Sequence, residues 1–236
     1  MVRVVRVVTR NAEALDAVAT RIGGTTIVAD LSDAATRRSL VARTEATGGP
    51  VDLLVNNAGI DRVGAIDRMT ADDLEMLVGL NLLTAMEFTR QALPGMLEHG
   101  RGHIVNLSSL AGVASLPGLA AYGASKAALT HSTAGVRADT RGTAIRTTVV
   151  EIAFVQTTMR DEILGCAPSR RAYRRLARVG ALVDTPMDRL VDAIVDAVAR
   201  DRRHVRYPGR ARALAATTEL PRRFVELLLS GVGATP

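Results

Sequence analysis

The chain has 236 residues, 47% of them hydrophobic and 23% charged, which suits one domain with a sizeable core and excludes a disordered or fibrous protein. No apolar run reaches the ~18 residues of a membrane-spanning helix, and a single cysteine, Cys166, excludes an internal disulfide framework or a cysteine zinc site. The net charge of +6 lies entirely beyond residue 159, where arginines outnumber acids, while the part before it is balanced.

That basic third fits either a solvated, arginine-biased surface or a patch for acidic substrates or an anionic membrane. Nucleic acid is not expected as a partner, because three Tyr and three Phe offer little to stack on bases and no recognition motif is present. His99, His103, His131 and His204 lack any metal-ligand spacing. Met1 to Arg6 has no apolar stretch of a secretory signal, so a cytoplasmic protein without a structural metal is expected.

In chain order, residues 2–8 read as a valine-rich strand ending at Thr9-Arg10-Asn11. Leu15, Val18 and Ile22 recur at helical spacing and Gly23-Gly24 closes that helix. Thr25 to Ala29 is a second strand, a helix follows over about 33–46, and Val51 to Val55 is an apolar run suited to a strand buried on both faces of a parallel sheet. A long helix is predicted over 71–98, a strand at 104–107, an alanine-rich helix over 119–140 and a strand at 147–150. The stretch 155–185 looks irregular. Asp188 to Ala199 is a periodic helix, and 204–207 the last strand. Alternation of this kind implies βα units and an α/β, doubly wound parallel sheet, whose ligands bind beyond the carboxyl ends of the strands.

Those ends carry the polar motifs. Asn56-Asn57-Ala58-Gly59 follows one strand and Ser108-Ser109 another. Tyr122 and Lys126 stand four apart on a predicted helix, hence on one face, where a cation lowers a phenol toward working pH. Tyr122 then qualifies as a general acid for a carbonyl oxygen or a base for an alcohol, with Ser109 able to hydrogen-bond the same oxygen. Lys126 is the only lysine among 30 basic residues. A compact ammonium can serve a phenolate and a ribose hydroxyl together, which a guanidinium fork cannot.

NNAG, the Asn81 of GLNL, VNLSS and YGASK, in this order, resemble the short-chain dehydrogenase/reductase family over roughly residues 2–160. The resemblance implies a single-domain Rossmann-like fold and hydride transfer between a nicotinamide cofactor and a carbonyl or alcohol. It places Asn81, Ser109, Tyr122 and Lys126 in a catalytic tetrad: Tyr122 moves the proton, Lys126 binds the nicotinamide ribose, Ser109 orients the carbonyl and Asn81 positions a relay water. Asn57, Ala58 and Gly59 would lie against the cofactor, Asp30 and Leu31 near the adenine, and Val155 and Thr157 near the nicotinamide amide. Where an NAD enzyme has an acid for the ribose, this chain has Arg10, a bidentate partner for a 2′-phosphate. NADP(H) is therefore favoured over NAD(H); the plain alternative is that Arg10 faces solvent.

The chain departs from the family in two places. No TGxxxGxG turn occurs in it, and its first strand matches the family's second, so the sheet is expected to lack its central strand and the 51–55 run to lose a neighbour. After Glu151, Ile152-Ala153 replace the usual Pro-Gly, and Ala tolerates positive φ poorly. Two readings stay open: an NADP(H) oxidoreductase, or a catalytically impaired relative kept as an interaction protein.

Residues 1–236 are read as one domain, with a substrate loop at 155–185 and an extension over 209–236. Met159, Ile163, Leu164, Leu176 and Val179 imply a small apolar carbonyl or alcohol substrate. Arg170, Arg171, Arg174 and Arg175 would form a solvated face, and Cys166 a small hydrophobe. Resemblance to the family implies a homodimer or homotetramer through helices near 80–98 and 119–140. Residues 219–232 form an amphipathic stripe that either docks on the body or makes weak contact with a membrane surface.

Overall fold

The computed structural model describes residues 5–9, 11–114, 116–178, 184–207 and 209. Strands and helices alternate: β1 (Arg6–Thr9), α1 (Ala12–Ile22), β2 (Thr25–Val28), α2 (Ala34–Gly48), β3 (Leu53–Asn56), α3 (Ala71–Val78), α4 (Thr84–Glu98), β4 (Gly102–Leu107), α5 (Ala120–Asp139), β5 (Ile145–Ile152), α6 (Thr158–Gly165), α7 (Ala167–Arg178), α8 (Met187–Ala199) and β6 (His204–Tyr207). Every strand pairing is parallel. Polar caps set the helix starts: Asn11 accepts from the Ala14 amide at 3.0 Å, Asp33 from Ala35 and Thr36, and Thr70 forms a reciprocal box with Asp73 on α3, each satisfying amides that the first turn leaves open.

Two expectations are corrected. The helix predicted over 71–98 is interrupted: α3 and α4 are joined by a π-helical turn, Gly79–Leu83, a wider turn that periodicity alone does not reveal. The stretch 155–185 is not irregular, because α6 and α7 occupy most of it. Its helical signal lies on one narrow face of α7, with buried Ser169 and half-buried Tyr173 and Leu176, while the arginines point outward.

Successive strand residues face opposite layers. Ile104 packs with Leu40, Val41, Phe88, Ala92 and Met96 of α2 and α4, whereas Val105 packs with Val150, Val205 and with Leu190 and Ala197 of α8. The fold is thus doubly wound. On β5 the buried Glu151 accepts from Arg206 of β6 at 2.6 Å, with His204 at 3.6 Å. Burial works against the Glu151 carboxylate, but these two partners outweigh it and hold the carboxyl below its ordinary range. Ile152 still pairs with Tyr207 and the Ala153 amide donates to the Tyr207 carbonyl. Ala153 avoids positive φ, so the missing Pro-Gly costs this loop no strain.

The sheet is divided. Among the described residues β1 pairs only with β2, and β3–β4–β5–β6 form a separate sheet, so β3 does lack a neighbour on one edge. Val55 is 49% exposed although its register partner Val105 is fully buried. Val28 and, on α8, Val191 and Val195 are exposed as well. The two sheets are held together through α2 against α4, with Gln91 donating to the Arg37 carbonyl at 2.9 Å. The 209–236 extension and its stripe at 219–232 lie outside the described residues apart from Gly209.

Candidate active site

The site forms where β3, β4 and β5 end against α5. Asn56 and Asn106 are register partners at the ends of β3 and β4. Asn56 Nδ2 donates to Asn106 Oδ1 at 2.8 Å, and Asn106 Nδ2 to Thr133 Oγ1 of α5 at 2.8 Å. Ser108 Oγ adds a bond to the Lys126 carbonyl at 2.9 Å. These buried bonds fix α5 relative to the strand ends. Ser109 then caps a short turn, Leu110–Gly112, by accepting from the Ala111 amide at 3.1 Å.

That turn touches α5 backbone to backbone. A Cβ on Gly112 would meet the Ala127 nitrogen at 2.7 Å and the Lys126 carbonyl carbon at 2.9 Å, and one on Gly123 would meet the Ala111 carbonyl oxygen at 2.7 Å. Gly112→Ala should therefore destabilise the protein by about 1–3 kcal/mol through overpacking and displace Ser109 from Tyr122. Urea unfolding measures the first effect, and an unchanged midpoint would contradict the contact.

Tyr122 and Lys126 do share a face of α5, with Lys126 Nζ 5.9 Å from the phenol ring centroid. Both are buried. The expectation that Lys126 brings the phenol toward working pH is not met. Burial raises Tyr122 above its ordinary value, a hydrogen bond with Ser109 pulls it down, and the charge of Asp61 raises it further. The ammonium is committed elsewhere, donating to the Leu107 carbonyl at 2.8 Å, and its own burial lowers it to about 8.

Asn81 sits in the π-helical turn and is 1% exposed. Its Oδ1 accepts from the Ile60 amide at 2.8 Å, while Nδ2 donates to the Ile60 carbonyl at 2.8 Å and to Ser125 Oγ at 3.1 Å. Its carboxamide thus clamps the loop after β3. Gly59 lies between Asn81 and Lys126: a Cβ there would come within 3.0 Å of Asn81 Oδ1 and 3.4 Å of Lys126 Nζ. Only glycine lets the loop approach both side chains so closely.

A cavity of about 790 Å³ opens over these groups. Asn57, Gly59, Ser109, Tyr122, Lys126, Val155 and Thr157 line it, as do Met159, Ile163 and Leu176. Ala58 and Asn81 stand outside the lining, Asn81 behind Gly59. Asp30 and Leu31 are not brought to the cavity. They follow β2 in the other sheet, where Asp30 accepts from Ser32 and Leu31 packs in the core with its carbonyl receiving Arg37. Leu164 is half-buried away from the cavity, and Arg170, Arg171, Arg174 and Arg175 are exposed. Arg10 and Val179 fall outside the described residues.

Sequence reading passed over several residues of the site. Arg160 lines the cavity and pairs with Asp184 at 2.8 Å, and Tyr173 donates to the same carboxylate at 3.0 Å, which ties α6 and α7 to the segment before α8. Asp61, two residues beyond Gly59, is 5% exposed with one carboxyl oxygen unpartnered. An acid directly after Ala58-Gly59-Ile60 was the available signal. Among the described residues no cluster of side chains could hold a metal.

The short chain dehydrogenase family model matches residues 2–165. The chain is 37% identical over 129 residues to the ketoacyl reductase HetN of Nostoc sp., covering 55% of this chain and 45% of HetN. It is 34% identical over 178 residues to the inactive 2-(S)-hydroxypropyl-CoM dehydrogenase 2 of Xanthobacter autotrophicus, covering 74% and 77%. It spans about half the length of HetN and 59% of the oxidoreductase UcpA of Salmonella typhimurium. Among solved structures, a short-chain dehydrogenase from Streptomyces avermitilis superposes with a TM-score of 0.77 at 26% identity, over 96% of this chain and 88% of that one. A variant actinorhodin polyketide ketoreductase with NADPH gives 0.76 at 25% identity, over 89% and 87%.

Proposed function

Because the chain belongs to the short-chain dehydrogenase family, we propose that it is an NADP(H)-dependent oxidoreductase interconverting a carbonyl and an alcohol, with Tyr122 as general acid and base. One observation carries this reading: Tyr122, Ser109 and the chain's only lysine meet at the wall of a largely apolar cavity. In the reducing direction Tyr122 gives its hydroxyl proton to the carbonyl oxygen, and Ser109 donates a hydrogen bond to that oxygen as it gains charge. Lys126, held by the Leu107 carbonyl, would bind the nicotinamide ribose. Asn81 keeps the loop at Gly59 in place.

The nicotinamide end of the cofactor fits the residues present. Asn57, Gly59, Lys126, Val155 and Thr157 border the cavity beside Tyr122, and the absence of a side chain at Gly59 leaves room there. When bound, the cofactor supplies the hydride. NADP(H) rather than NAD(H) rests on Arg10, with no acid at the end of β1. Met159, Ile163 and Leu176 favour a small apolar carbonyl or alcohol. Exposed Met76 on α3, Leu83 in the π-helical turn, and Met86 and Leu97 on α4 support pairing with a second copy as a homodimer or homotetramer. One domain over 1–236, a cytoplasmic setting and weak membrane-surface contact by 219–232 belong to the same proposal and rest on the sequence. No described helix is long and apolar enough to cross a membrane.

The second reading is an impaired relative that serves in interactions. It is favoured by the likeness to the inactive 2-(S)-hydroxypropyl-CoM dehydrogenase 2 and, among the described residues, by the unpaired edges of β1 and β3. Titration of the 236-residue chain followed by NADPH fluorescence separates the readings. We expect weak binding, well above the low micromolar range. Low-micromolar affinity would show the glycine turn to be dispensable, and no detectable binding would favour the impaired relative.

A further inference from the structure

The cavity beside Tyr122 carries a cation that the reaction scheme leaves unused. Among its described lining residues the cations are Lys126 and Arg160, and no acid stands with them. Lys126 is engaged by the Leu107 carbonyl. Arg160 follows Met159 on α6, and Met159, Phe154 and Ile163 pack in the same cluster as Tyr122. The guanidinium thus sits in the apolar wall against which a substrate chain would lie. Arg170, Arg171, Arg174 and Arg175 of α7 are exposed and outside the lining.

Acids engage all three nitrogens of Arg160. Nη2 donates to Asp184 Oδ2 at 2.8 Å and Nε to Asp184 Oδ1 at 3.3 Å, while Nη1 donates to Asp161 Oδ1 at 3.3 Å. The Asp161 side chain is 74% exposed, so its pull is weak. Asp184 is held from two sides. Tyr173 of α7 donates to its Oδ1 at 3.0 Å, and the Tyr173 ring meets Phe154 edge to face with centroids 5.1 Å apart. The next residue, Thr185, donates its amide to the Phe154 carbonyl at 2.7 Å and bridges Val155. Asp184 therefore meets Arg160 in a fixed, two-pronged contact, which satisfies a guanidinium in direction as well as charge.

We propose that Asp184 is a positioning residue that sets specificity: by occupying the Arg160 guanidinium it leaves the α6 wall of the cavity without a free cation among the described residues, so that the site admits uncharged carbonyl compounds and alcohols and rejects those bearing a carboxylate. A carboxylate entering an apolar cavity gives up its hydration and needs a partner in return. The one guanidinium in the wall is already paired. Specificity then comes from a contact withheld as much as from contacts made. This deepens the reading of an apolar substrate, on which it rests, by naming the residue that enforces it.

Calorimetric titration with octanol and octanoate, which differ only in the terminal group, tests the assignment without turnover. At neutral pH the parent chain should bind octanol at least about tenfold more tightly than octanoate. Asp184→Asn keeps the side-chain shape and removes the charge, which releases Arg160 to a ligand. It should bind octanoate about tenfold more tightly than the parent, or better, the scale of one hydrogen bond to a charged group, with octanol within about twofold. Asp184→Glu should behave as the parent. Arg160→Gln combined with Asp184→Asn should lose the gain.

Octanoate binding the parent as tightly as octanol overturns the proposal. So does Asp184→Asn with octanoate affinity unmoved, or with both ligands weakened alike, the mark of a purely structural clasp. Should Asp184→Asn not fold, the double variant keeps the test, because it removes both charges together. Its preference for octanol should equal the parent's, and a loss of octanoate affinity there would show Arg160 already free and overturn the proposal. Failure of both ligands to bind the parent would defeat the apolar-substrate reading, and the role of Asp184 with it. Normal turnover in Tyr122→Phe would instead defeat the proposed mechanism while leaving the binding ratios to judge Asp184.

Discussion

Tyr122→Phe should lower the turnover of carbonyl reduction by at least about 10²-fold, the scale on which a positioned general acid contributes. The ring itself is part of the packing: Tyr122 lies with Leu77, Leu119, Ala121 and Ile163 in one buried cluster. Phenylalanine keeps that cluster and removes only the hydroxyl, so the variant should fold with its thermal midpoint nearly unchanged. Cofactor binding should also be nearly kept, because Lys126 and the loop at Gly59 are untouched. The measurement is NADPH consumption with a panel of apolar aldehydes and ketones, in protein that shows turnover to begin with. Near-normal rates in the variant would remove Tyr122 from the proton step and, with it, the proposed mechanism.

Lys126→Met should abolish most turnover and yet make the protein more stable. Lys126 is 6% exposed, and burial lowers it from an ordinary 10.5 to about 8. A base depressed in the folded state binds fewer protons there than in the unfolded chain. Below pH 8 the fold thus carries the full penalty of a buried cation, and that penalty is relieved as pH rises from about 8 to 10.5. At neutral pH the shift corresponds to roughly 3 kcal/mol. Losing the bond to the Leu107 carbonyl takes back about 1–2 kcal/mol. The balance favours the methionine variant by about 1–2 kcal/mol, or a midpoint higher by about 2–8 °C for a chain of this size. Thermal melts at pH 7 and pH 10 check both the sign and the window: the advantage should shrink at the higher pH. A variant less stable than the parent at pH 7 would mean that the cation is better accommodated than its burial implies. Such an outcome, stability gained where function is lost, is common at active sites.

Most of the element order was legible in the sequence because local signals and tertiary demands agree there. Asn11, Asp33 and Thr70 cap helices whose periodicity is legible, and the apolar runs become strands, mostly buried in β4 and β5 but half-exposed in β1, β2 and β3. The alternation of these elements determined the doubly wound parallel architecture, and the ordered motifs around Asn81, Ser109, Tyr122 and Lys126 determined the family. Spacing alone also placed Tyr122 and Lys126 on one helical face, since four residues make nearly one turn.

What spacing could not decide was how those side chains are solvated and shared. The acidity of Tyr122 depends on burial, on Ser109 and on Asp61, three contributions from different elements, and the balance runs opposite to the i,i+4 expectation. The role of Asn81 as a clamp on Ile60 needs a π-helical turn, an extra residue in one turn that leaves hydrophobic periodicity on either side intact. The same holds for Gly112 and Gly123, ordinary small residues in sequence that become obligatory because two backbones meet there. Asp30 and Leu31 are a further case: the sequence motif names them, and the structure places both after β2 in the two-stranded sheet, outside the lining of the cavity at Tyr122. Sequence determines what each segment can form. Which polar groups then lose water, and to whom they are bound once they have, follows only from packing, because electrostatic energies depend on distances and desolvation between residues far apart in the chain.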